Sequence, residues 1–512
     1  MNEAKQMQRH TGLGPVAAGL AGLVAAAVIL GVGELVAAPI DPAAAPFLVL
    51  GDTMVDRTPS ALREFAIERF GTHDKQALFA SMAVVAALLA VVVGLLERRR
   101  PPYGALIPVV LGIPVCGAAL QRPNATVWFA APTVLGVAAG IAVLRVLLSG
   151  GHSRTVEPSR RRFLVLTAGA AAIAAGAATA GRWVGARMRA VTADRAEFPV
   201  PTPVAPAPAP PPGTDPPVPG LTEFITANDR FYRIDTALRL PAVTSDEWRL
   251  RIHGMVDREL ELSMDDLRKR TAIEKVVTLT CVSNEVGGDL IGTAAWTGYP
   301  LADLLAAAGV HPDADMLLSR SADGFTAGTP VAAVTDGRDA LLAVGMNGAP
   351  LPIEHGYPAR LVVPGLYGYV SATKWVVDLE LTRFDRALAY WTVRGWSAYG
   401  PIKTASRIDV PRAFATLAPG PTTVAGVAWA QHRGIAAVEV QVDDGPWQRA
   451  ELAPEYSIDT WRQWTWRWDA PVGRHTLRVR AIDGTGAVQT EASAPPAPDG
   501  ATGWHTRQVT VA

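Results

Sequence analysis

Cysteine is scarce in this chain: 512 residues contain two, Cys116 and Cys281. They fall in different halves, so the part that has a soluble composition contains one cysteine and no internal disulfide. The sequence contains no C-x-x-C-H, which excludes a covalently attached c-type haem. Histidine is also sparse, and the residues nearest the apolar runs, His10, His73 and His152, stand at or beyond the ends of those runs. A haem held by two histidines within a membrane is therefore not expected.

An excess of charge is also missing, since 47 basic and 47 acidic residues give a formal net charge of zero. This balance gives no indication of nucleic-acid binding. Long apolar runs are present instead, and they are concentrated in the first part of the chain. They approach the ~20 residues that cross a bilayer as a helix, so we predict an α-helical transmembrane region over residues 1–186. Its five spans are Gly12 to Val36, Ala77 to Leu96, Ala105 to Leu120, Val127 to Leu148 and Phe163 to Gly181.

A basic motif, S-R-R-R-F-L from Ser159 to Leu164, directly precedes the last predicted span. It resembles a twin-arginine export signal, whose route carries folded proteins, typically ones that receive a cofactor in the cytoplasm. The alternative is an ordinary last transmembrane helix with basic residues on its cytoplasmic side. With the N-terminus in the cytoplasm, most Lys and Arg between the spans fall on the cytoplasmic side. We therefore expect a multi-pass protein of the cell membrane, whose part after Gly181 is extracytoplasmic.

The rest of the chain divides by composition into a linker and two domains. Residues 187–220 are rich in Pro, which favours an extended tether of ~3 Å per residue. Residues 221–410 mix short β-rich runs with helical ones, which indicates an α+β domain. Residues 411–512 show alternating apolar positions between turn sequences, as in Trp464, Trp466 and Trp468. This pattern is typical of an immunoglobulin-like β-sandwich, in which the tryptophan stripe fills the core or forms an interface.

Cys281 follows the β-rich run V-V-T-L-T, where a strand end meets a loop. Such positions often present reactive groups. From the residues alone, three interpretations stay open: inert packing, a nucleophile that needs a nearby His, or a ligand. As a ligand, the thiolate would suit a soft metal held mainly by a cofactor.

Three sequence blocks add a specific resemblance. The run L-T-C-V-S-N-E-V-G-G-D-L-I-G-T-A-A-W-T-G-Y-P-L-A-D-L-L, from Leu279 to Leu305, resembles the molybdenum-cysteine segment of the sulfite oxidase family. The run H-G-Y-P-A-R-L-V-V-P-G-L-Y-G-Y-V-S-A-T-K-W, from His355 to Trp375, is similar to its pterin-binding segment, and N-D-R-F-Y-R, from Asn228 to Arg233, resembles its N-terminal cofactor block. The blocks come in family order. The resemblance covers roughly residues 221–512 and does not concern the membrane part.

This resemblance implies a Mo-molybdopterin cofactor, with the Cys281 thiolate as the protein ligand of the metal. It also implies catalytic roles for Cys281 and Arg233. The cofactor-binding residues that it implies are Asn228, Tyr232, Arg233, Cys281, Ser321, Asp323, His355, Arg360, Thr373 and Lys374.

Two departures from the family pattern concern the substrate. Animal and plant sulfite oxidases follow the equivalent of Arg233 with Asn-His, whereas this chain has Ile234 and Asp235, so a sulfite-binding cation is missing. The family's catalytic tyrosine has no secure counterpart, although Tyr390 and Tyr399 lie in the corresponding region.

The function expected from these observations is oxo transfer to or from a small sulfur compound or sulfoxide, by an exported membrane-anchored oxidoreductase. Its electrons would be exchanged with a separate carrier: a cytochrome, a quinone or a membrane redox protein. The family's C-terminal domain mediates dimerisation, so a homodimer is also expected. An alternative of another class is a cofactor-free cell-surface binding or sensor protein that uses its β-sandwich to bind a partner.

Overall fold

The computed structural model describes residues 14–41, 44–58, 74–122, 125–149, 169, 185–237 and 239–512. The chain forms two compact units, Met1–Arg189 and Ala190–Ala512. The twin-arginine motif lies outside the described residues, as does the fifth predicted span apart from Gly169.

The first unit is helical because its Ala- and Leu-rich runs favour helix and lack internal breakers over most of their length. Its helices are α1 (Pro15–Ala37), α2 (Pro46–Arg57), α3 (Asp74–Arg99), α4 (Tyr103–Leu120) and α5 (Ala131–Ser149), the last preceded by a 3₁₀ turn at Val127–Ala130. Four described helical stretches are long and apolar enough to cross a membrane, with mean hydropathies between 2.0 and 2.7: Pro15–Ala37, Ala77–Arg99, Tyr103–Leu120 and Val127–Leu148. These four match the first four predicted spans.

Helices α1 and α3 pack so closely that their backbones are in contact. A Cβ atom added to Gly22 would stand 1.9 Å from the carbonyl oxygen of Ala90, and one added to Gly94 would stand 2.0 Å from that of Ala18. Small residues at such crossings let membrane helices approach closely.

The second unit is rich in β-structure. The first eleven strands are β1 (Arg249–Gly254), β2 (Leu260–Ser263), β3 (Ile273–Thr280), β4 (Ile291–Pro300), β5 (Met316–Ser321), β6 (Thr326–Pro330), β7 (Leu341–Met346), β8 (Ala349–Pro350), β9 (Arg360–Val362), β10 (Val376–Thr382) and β11 (Ala405–Val410). The others are β12 (Thr416–Leu417), β13 (Gly420–Trp429), β14 (Ile435–Val442), β15 (Gln448–Arg449), β16 (Glu451–Leu452), β17 (Arg462–Ala470), β18 (Gly473–Asp483) and β19 (His505–Val511). Short helices lie between strands: α6 (Met264–Arg268), α7 (Leu301–Ala308), α8 (Val331–Thr335) and α9 (Gly368–Ser371).

Four sheets organise these strands. Two belong to the α+β part, in the orders β2-β1-β10-β5-β6 and β3-β4-β7-β8, with β9 paired to β7. The other two, β11-β13-β17-β16 and β12-β19-β18-β14-β15, share one apolar core. Trp464 and Trp468 are buried in that core and Trp466 packs against it, so the tryptophan stripe fills the interior.

The Pro-rich stretch differs from the free tether predicted from its composition. Val204 donates a backbone hydrogen bond to Ala272, and Glu274 at the start of β3 donates one to Ala205. The hydroxyl of Tyr456 donates to the carbonyl of Pro208, and Phe198 is buried. Proline removes a donor but leaves the carbonyl and the neighbouring amides free to pair, so this segment lies along the edge of β3. The domain boundaries at residues 187, 221 and 411 remain predictions.

Candidate active site

Cys281 stands directly after β3, whose β-branched residues suit a buried strand. Its amide donates to the carbonyl of Leu290 at 2.9 Å, and its own carbonyl accepts from the amide of Asn284 at 3.1 Å. The Asn284 side chain accepts from the amide of Leu290 at 2.9 Å and closes this loop. The thiol is therefore held at the wall of a pocket at the end of the strand.

This pocket contains about 900 Å³ of space free of protein atoms, part of it open to solvent. Seven of the residues that the family resemblance selected line it: Tyr232, Cys281, Ser321, Asp323, His355, Arg360 and Lys374. The other three, Asn228, Arg233 and Thr373, do not line it and act on residues that do.

Arg360 begins β9 and is 5% exposed. Its guanidinium donates to three main-chain carbonyls, those of His355, Leu361 and Ala372, and stands 5.0 Å from the ring centroid of Trp296. Among the described residues, no carboxylate lies within ion-pair distance of it. Burial lowers the pKa of Arg360 to about 10, because desolvation disfavours its charge. A buried cation in this state has the electrostatics of an anion-binding site.

Lys374 supplies the second buried cation. Its ammonium donates to Oδ2 of Asp235 at 3.1 Å and to the carbonyl of Glu354 at 3.1 Å. The same Oδ2 accepts from Nε of Arg233 at 2.8 Å, and the Asp235 side chain is 4% exposed. Burial lowers the pKa of Lys374 to about 8, and the negative charge of Asp235 opposes that shift. Arg233, which is 44% exposed, thus reaches the site through Asp235 and not by lining it.

His355 is buried, and its ring meets Phe231 edge to face with centroids 5.5 Å apart. Burial and the positive charges of Arg360 and Lys374 lower the pKa of His355 to about 3, so the ring is neutral. Its Nε2 lies 3.3 Å from the carbonyl oxygen of Asn228, whose side chain is bonded to Met346 and Asn347. Asn228 therefore orients His355 through its backbone.

Asp323 brings a second carboxylate to the pocket. Its Oδ1 accepts from the amide of Phe325 at 3.2 Å, and Ser321 lies beside it. Burial raises the pKa of Asp323, and the negative charge of Asp235 adds to that rise, while Lys374 opposes it.

Thr373 is buried away from the pocket. Its hydroxyl shares a hydrogen bond of 2.7 Å with that of Ser319, and its carbonyl accepts from the amide of Leu361 at 2.9 Å. It therefore positions the strand that begins with Arg360.

The Cys281 thiol and the Tyr232 hydroxyl belong to residues that line the same pocket, and the charge of one affects the ionisation of the other. Burial raises the pKa of the Cys281 thiol, whereas hydrogen bonds from Ser283 and the charge of Lys374 oppose the rise. Burial also raises the pKa of Tyr232, and ionisation of Cys281 would raise it further.

An aromatic wall completes the pocket and was not predicted from the sequence. We define it as Tyr369, Trp396 and Trp391, whose ring centroids are successively 5.9 Å apart. The two tyrosines in the region of the family's catalytic tyrosine do not line the pocket. Tyr390 packs against Phe325, and Tyr399 is 54% exposed.

The residues present fit molybdopterin. Arg360 is a buried cation without a described carboxylate partner, as the site of a cofactor phosphate requires. Cys281 presents a soft ligand to the same pocket, and the described residues contain no cluster of three or more His, Cys, Asp or Glu side chains that could hold a metal unaided. These are the features of a site for an anionic cofactor whose metal takes one protein thiolate.

Comparison with known proteins agrees with that class. The sequence model described as "Oxidoreductase molybdopterin binding domain" matches residues 237–391. Mitochondrial sulfite oxidase of Mus musculus is 31% identical over 334 residues, which are 55% of this chain and 60% of that protein. Sulfite oxidase of Gallus gallus is 30% identical over 334 residues, 55% of this chain and 72% of that protein. The chain belongs to the sulfite oxidase family of molybdopterin oxidoreductases, with Mo-molybdopterin as cofactor.

Coverage of these relatives is partial: the chain spans 60% of the length of the mouse protein. Among solved structures, the sulfane dehydrogenase SoxCD from Paracoccus pantotrophus matches with a TM-score of 0.48 and 25% identity, over 57% of this chain and 84% of that chain.

Proposed function

We propose that this protein catalyses oxo transfer to or from a small sulfur compound or sulfoxide, and exchanges electrons with a separate carrier. The observation that carries the proposal is the convergence of Cys281, Arg360 and Lys374 on one pocket. Mo-molybdopterin, when bound, supplies the centre that gives or accepts an oxygen atom and two electrons.

The chain's own residues have separate tasks in this proposal. Cys281 would bind the metal through Sγ, held in place by the hydrogen bonds to Leu290 and Asn284. Arg360 and Lys374 would bind the cofactor's anionic groups, and Asp235 would keep Lys374 charged through their ion pair. Asp323 would hold or release a proton at its carboxyl group within the same pocket. The aromatic wall would exclude water from the substrate.

The proposal is tested by metal and pterin analysis of the full chain, produced in a host that makes molybdopterin. We expect about one Mo and one pterin per chain. A well-folded preparation that contained neither would contradict the proposal and favour the cofactor-free binding protein.

We also propose that the protein is exported as a folded holo-enzyme and anchored by its helices in the cell membrane. The four apolar helices and the S-R-R-R-F-L motif support this proposal. Replacing Arg160 and Arg161 by Lys retains the charge but removes the guanidinium pair, so the catalytic part should stay in the cytoplasm. Protease accessibility in spheroplasts measures this, and unchanged exposure in the double variant would indicate an ordinary last helix.

The two C-terminal sheets support an interpretation as an immunoglobulin-like sandwich that mediates homodimerisation. The tryptophan stripe lies in their core, so another surface would form the interface. Light scattering of the full chain in detergent should then give the mass of two copies, and a monomer at micromolar concentration would contradict the dimer.

A further inference from the structure

Residues 190–197, with which the second unit begins, are helical and pack into its core. Val191 is fully buried, and Phe198, directly after the helix, is 6% exposed. The ring of Phe198 meets that of Tyr357 edge to face, with centroids 5.6 Å apart. These residues precede the blocks that carry the family resemblance, the first of which begins at Asn228. The resemblance therefore gives them no role.

Asp194 holds one end of the loop of residues 350–357. Its Oδ2 accepts from the hydroxyl of Tyr357 and from the amide of Ser245, both at 2.6 Å, and its Oδ1 accepts from the Ser245 hydroxyl at 2.8 Å. Burial raises the pKa of Tyr357, and the hydrogen bond to Asp194 raises it further, so the phenol keeps the proton that it donates. Tyr357 is fully buried, so loss of this acceptor would leave a donor without solvent to replace it.

Arg195 holds the other end of the same loop. Its Nε donates to the carbonyl of Leu351 at 2.7 Å, and its Nη2 donates to the carbonyl of Pro350 at 2.9 Å. A planar guanidinium that serves two adjacent carbonyls fixes direction as well as distance. Because Asp194 and Arg195 are consecutive, one helix end fixes both ends of the loop.

The same loop carries carbonyls that bind the cations of the pocket. The carbonyl of His355 accepts from Nη1 of Arg360 at 3.1 Å, and that of Glu354 accepts from the ammonium of Lys374 at 3.1 Å. His355 itself lines the pocket together with both cations. A displacement of the loop would therefore move the acceptors that hold both cations in place.

We propose that Asp194 and Arg195 are positioning residues of the cofactor site, although neither lines the pocket. They hold the two ends of the loop of residues 350–357, and the loop holds Arg360 and Lys374 through its carbonyls. A binding site is precise only when such supporting contacts fix the groups that touch the ligand. This inference rests on the cofactor binding in the proposed function and is independent of the substrate and of the direction of oxo transfer.

The test measures how fast pterin leaves the Mo-loaded full chain in detergent, collected through a membrane that retains the protein and quantified by fluorescence. Asp194→Asn should release pterin about tenfold faster than wild type, because it replaces one acceptor oxygen by a donor that faces other donors. Arg195→Gln should have an effect of about the same size, because one amide cannot serve both carbonyls as the guanidinium does.

Tyr357→Phe removes the hydroxyl but keeps the ring on Phe198, so it should accelerate release about threefold. The double variant Asp194→Asn with Tyr357→Phe should stay at about tenfold, because both changes act on the same hydrogen bond and their effects do not multiply. If Asp194→Asn does not fold, Tyr357→Phe and Arg195→Gln decide the result.

Two matched controls keep the result specific. Glu197 is exposed at the same helix end, so Glu197→Gln should leave the release rate within about twofold of wild type. The hydroxyl of Tyr456 also donates to a residue before the family blocks, the carbonyl of Pro208 at 2.9 Å, but it does not hold the loop of residues 350–357. Tyr456→Phe should therefore also remain within about twofold.

A second measurement separates positioning of the cofactor site from general support of the fold. Bound cofactor raises the urea midpoint of the loaded chain above that of the cofactor-free chain, which is made in a host without molybdopterin. Tyr357→Phe should narrow the gap between these two midpoints, because the cofactor is bound less tightly. A purely structural role would lower both midpoints alike and leave the gap unchanged.

Release at the wild-type rate from Asp194→Asn, Arg195→Gln and Tyr357→Phe, or an unchanged gap between the midpoints, would overturn the inference and leave the proposed function intact. Equal acceleration by Tyr456→Phe would overturn it as well, since the effect would then be general destabilisation. Absence of pterin from the folded wild-type chain would instead overturn the proposed function, and this inference with it.

Discussion

Burying the Arg360 guanidinium costs desolvation free energy, and its hydrogen bonds within the protein offset this cost only in part. Main-chain carbonyls of His355, Leu361 and Ala372 accept its hydrogen bonds, but a full negative charge compensates a guanidinium better. The cofactor phosphate would be that charge. Arg360 should therefore contribute more to cofactor retention than to the stability of the cofactor-free protein.

Replacing Arg360 by Gln tests this role. We expect the variant, purified by the same protocol, to retain less than about a tenth of the wild-type pterin, because a charge-assisted hydrogen bond contributes about 1.5 to 3 kcal/mol. Arg251 pairs with Glu259 at the surface, so Arg251→Gln is a matched control with unchanged pterin content. Fluorescent pterin derivatives released from equal amounts of protein give the comparison, and equal yields from both variants would remove Arg360 from the cofactor site.

At this scale, sequence could predict the residues carried by contiguous motifs. Cys281, His355, Arg360 and Lys374 were identified in this way, and the structure brings them to one pocket. The partner of Lys374 was not predicted. Asp235 is a departure from the family pattern, and its ion pair with Lys374 joins positions 139 residues apart, a proximity that only the fold shows.

Hydrogen bonds from residues of the C-terminal part hold β3 in position. Thr278 donates its amide to the carbonyl of Asp459 at 3.0 Å, and its hydroxyl accepts from the amide of Trp461 at 2.8 Å. Gln431 donates to the Thr280 hydroxyl at 2.9 Å. Loop residues next to β13 and β17 thus support the strand whose end positions Cys281.

Strand β19 carries a residue, His505, that makes the stability of the folded chain dependent on pH. Nδ1 of His505 accepts from the amide of Ile408 at 2.9 Å, so the ring must be neutral. Burial and the charges of Arg507 and Arg407 lower the pKa of His505 to about 4, against about 6.5 in the unfolded chain. Between these values the unfolded state takes up a proton that the folded state does not. The free energy of unfolding therefore falls as pH falls from about 6.5 towards 4, and is independent of His505 above that range.

Replacing His505 by Asn keeps an acceptor and removes the titration. Between pH 7 and pH 5, wild type should lose about 1 to 2 kcal/mol more unfolding free energy than the variant. Urea unfolding of the full chain in detergent, followed by tryptophan fluorescence, measures the difference. His355 titrates alike in both proteins, and parallel pH dependences would contradict the role given to His505.

Elements were predictable to different degrees. Alternation located the strands that contain Trp464 and Leu477, because one face of each is buried in a common core. The packing of the Pro-rich stretch was not predictable, because composition describes chain stiffness and not the partners of its carbonyls and amides. The aromatic wall depends on the loop of residues 391–396, for which no periodic pattern exists.

For the whole molecule, composition separated an apolar helical unit from a β-rich one, and the structure has both. Four of the five predicted spans fall in described residues, and all four are long apolar helices there. The shape and charge of the pocket could not be read from sequence, because its lining comes from four separate segments: residues 231–236, 281–283, 321–325 and 355–396.

Sγ of Cys281 is the proposed protein ligand of molybdenum, and the other roles assigned in the pocket follow from that bond. X-ray absorption at the Mo edge of the full-length protein measures the sulfur ligands directly. Replacing Cys281 by Ser should remove one sulfur from the coordination shell and abolish oxo transfer, while Arg360 and Lys374 retain the pterin. Cys116→Ser, in the only other cysteine of the chain, should leave the spectrum unchanged. The same sulfur coordination in wild type and in Cys281→Ser would contradict the assignment of this site.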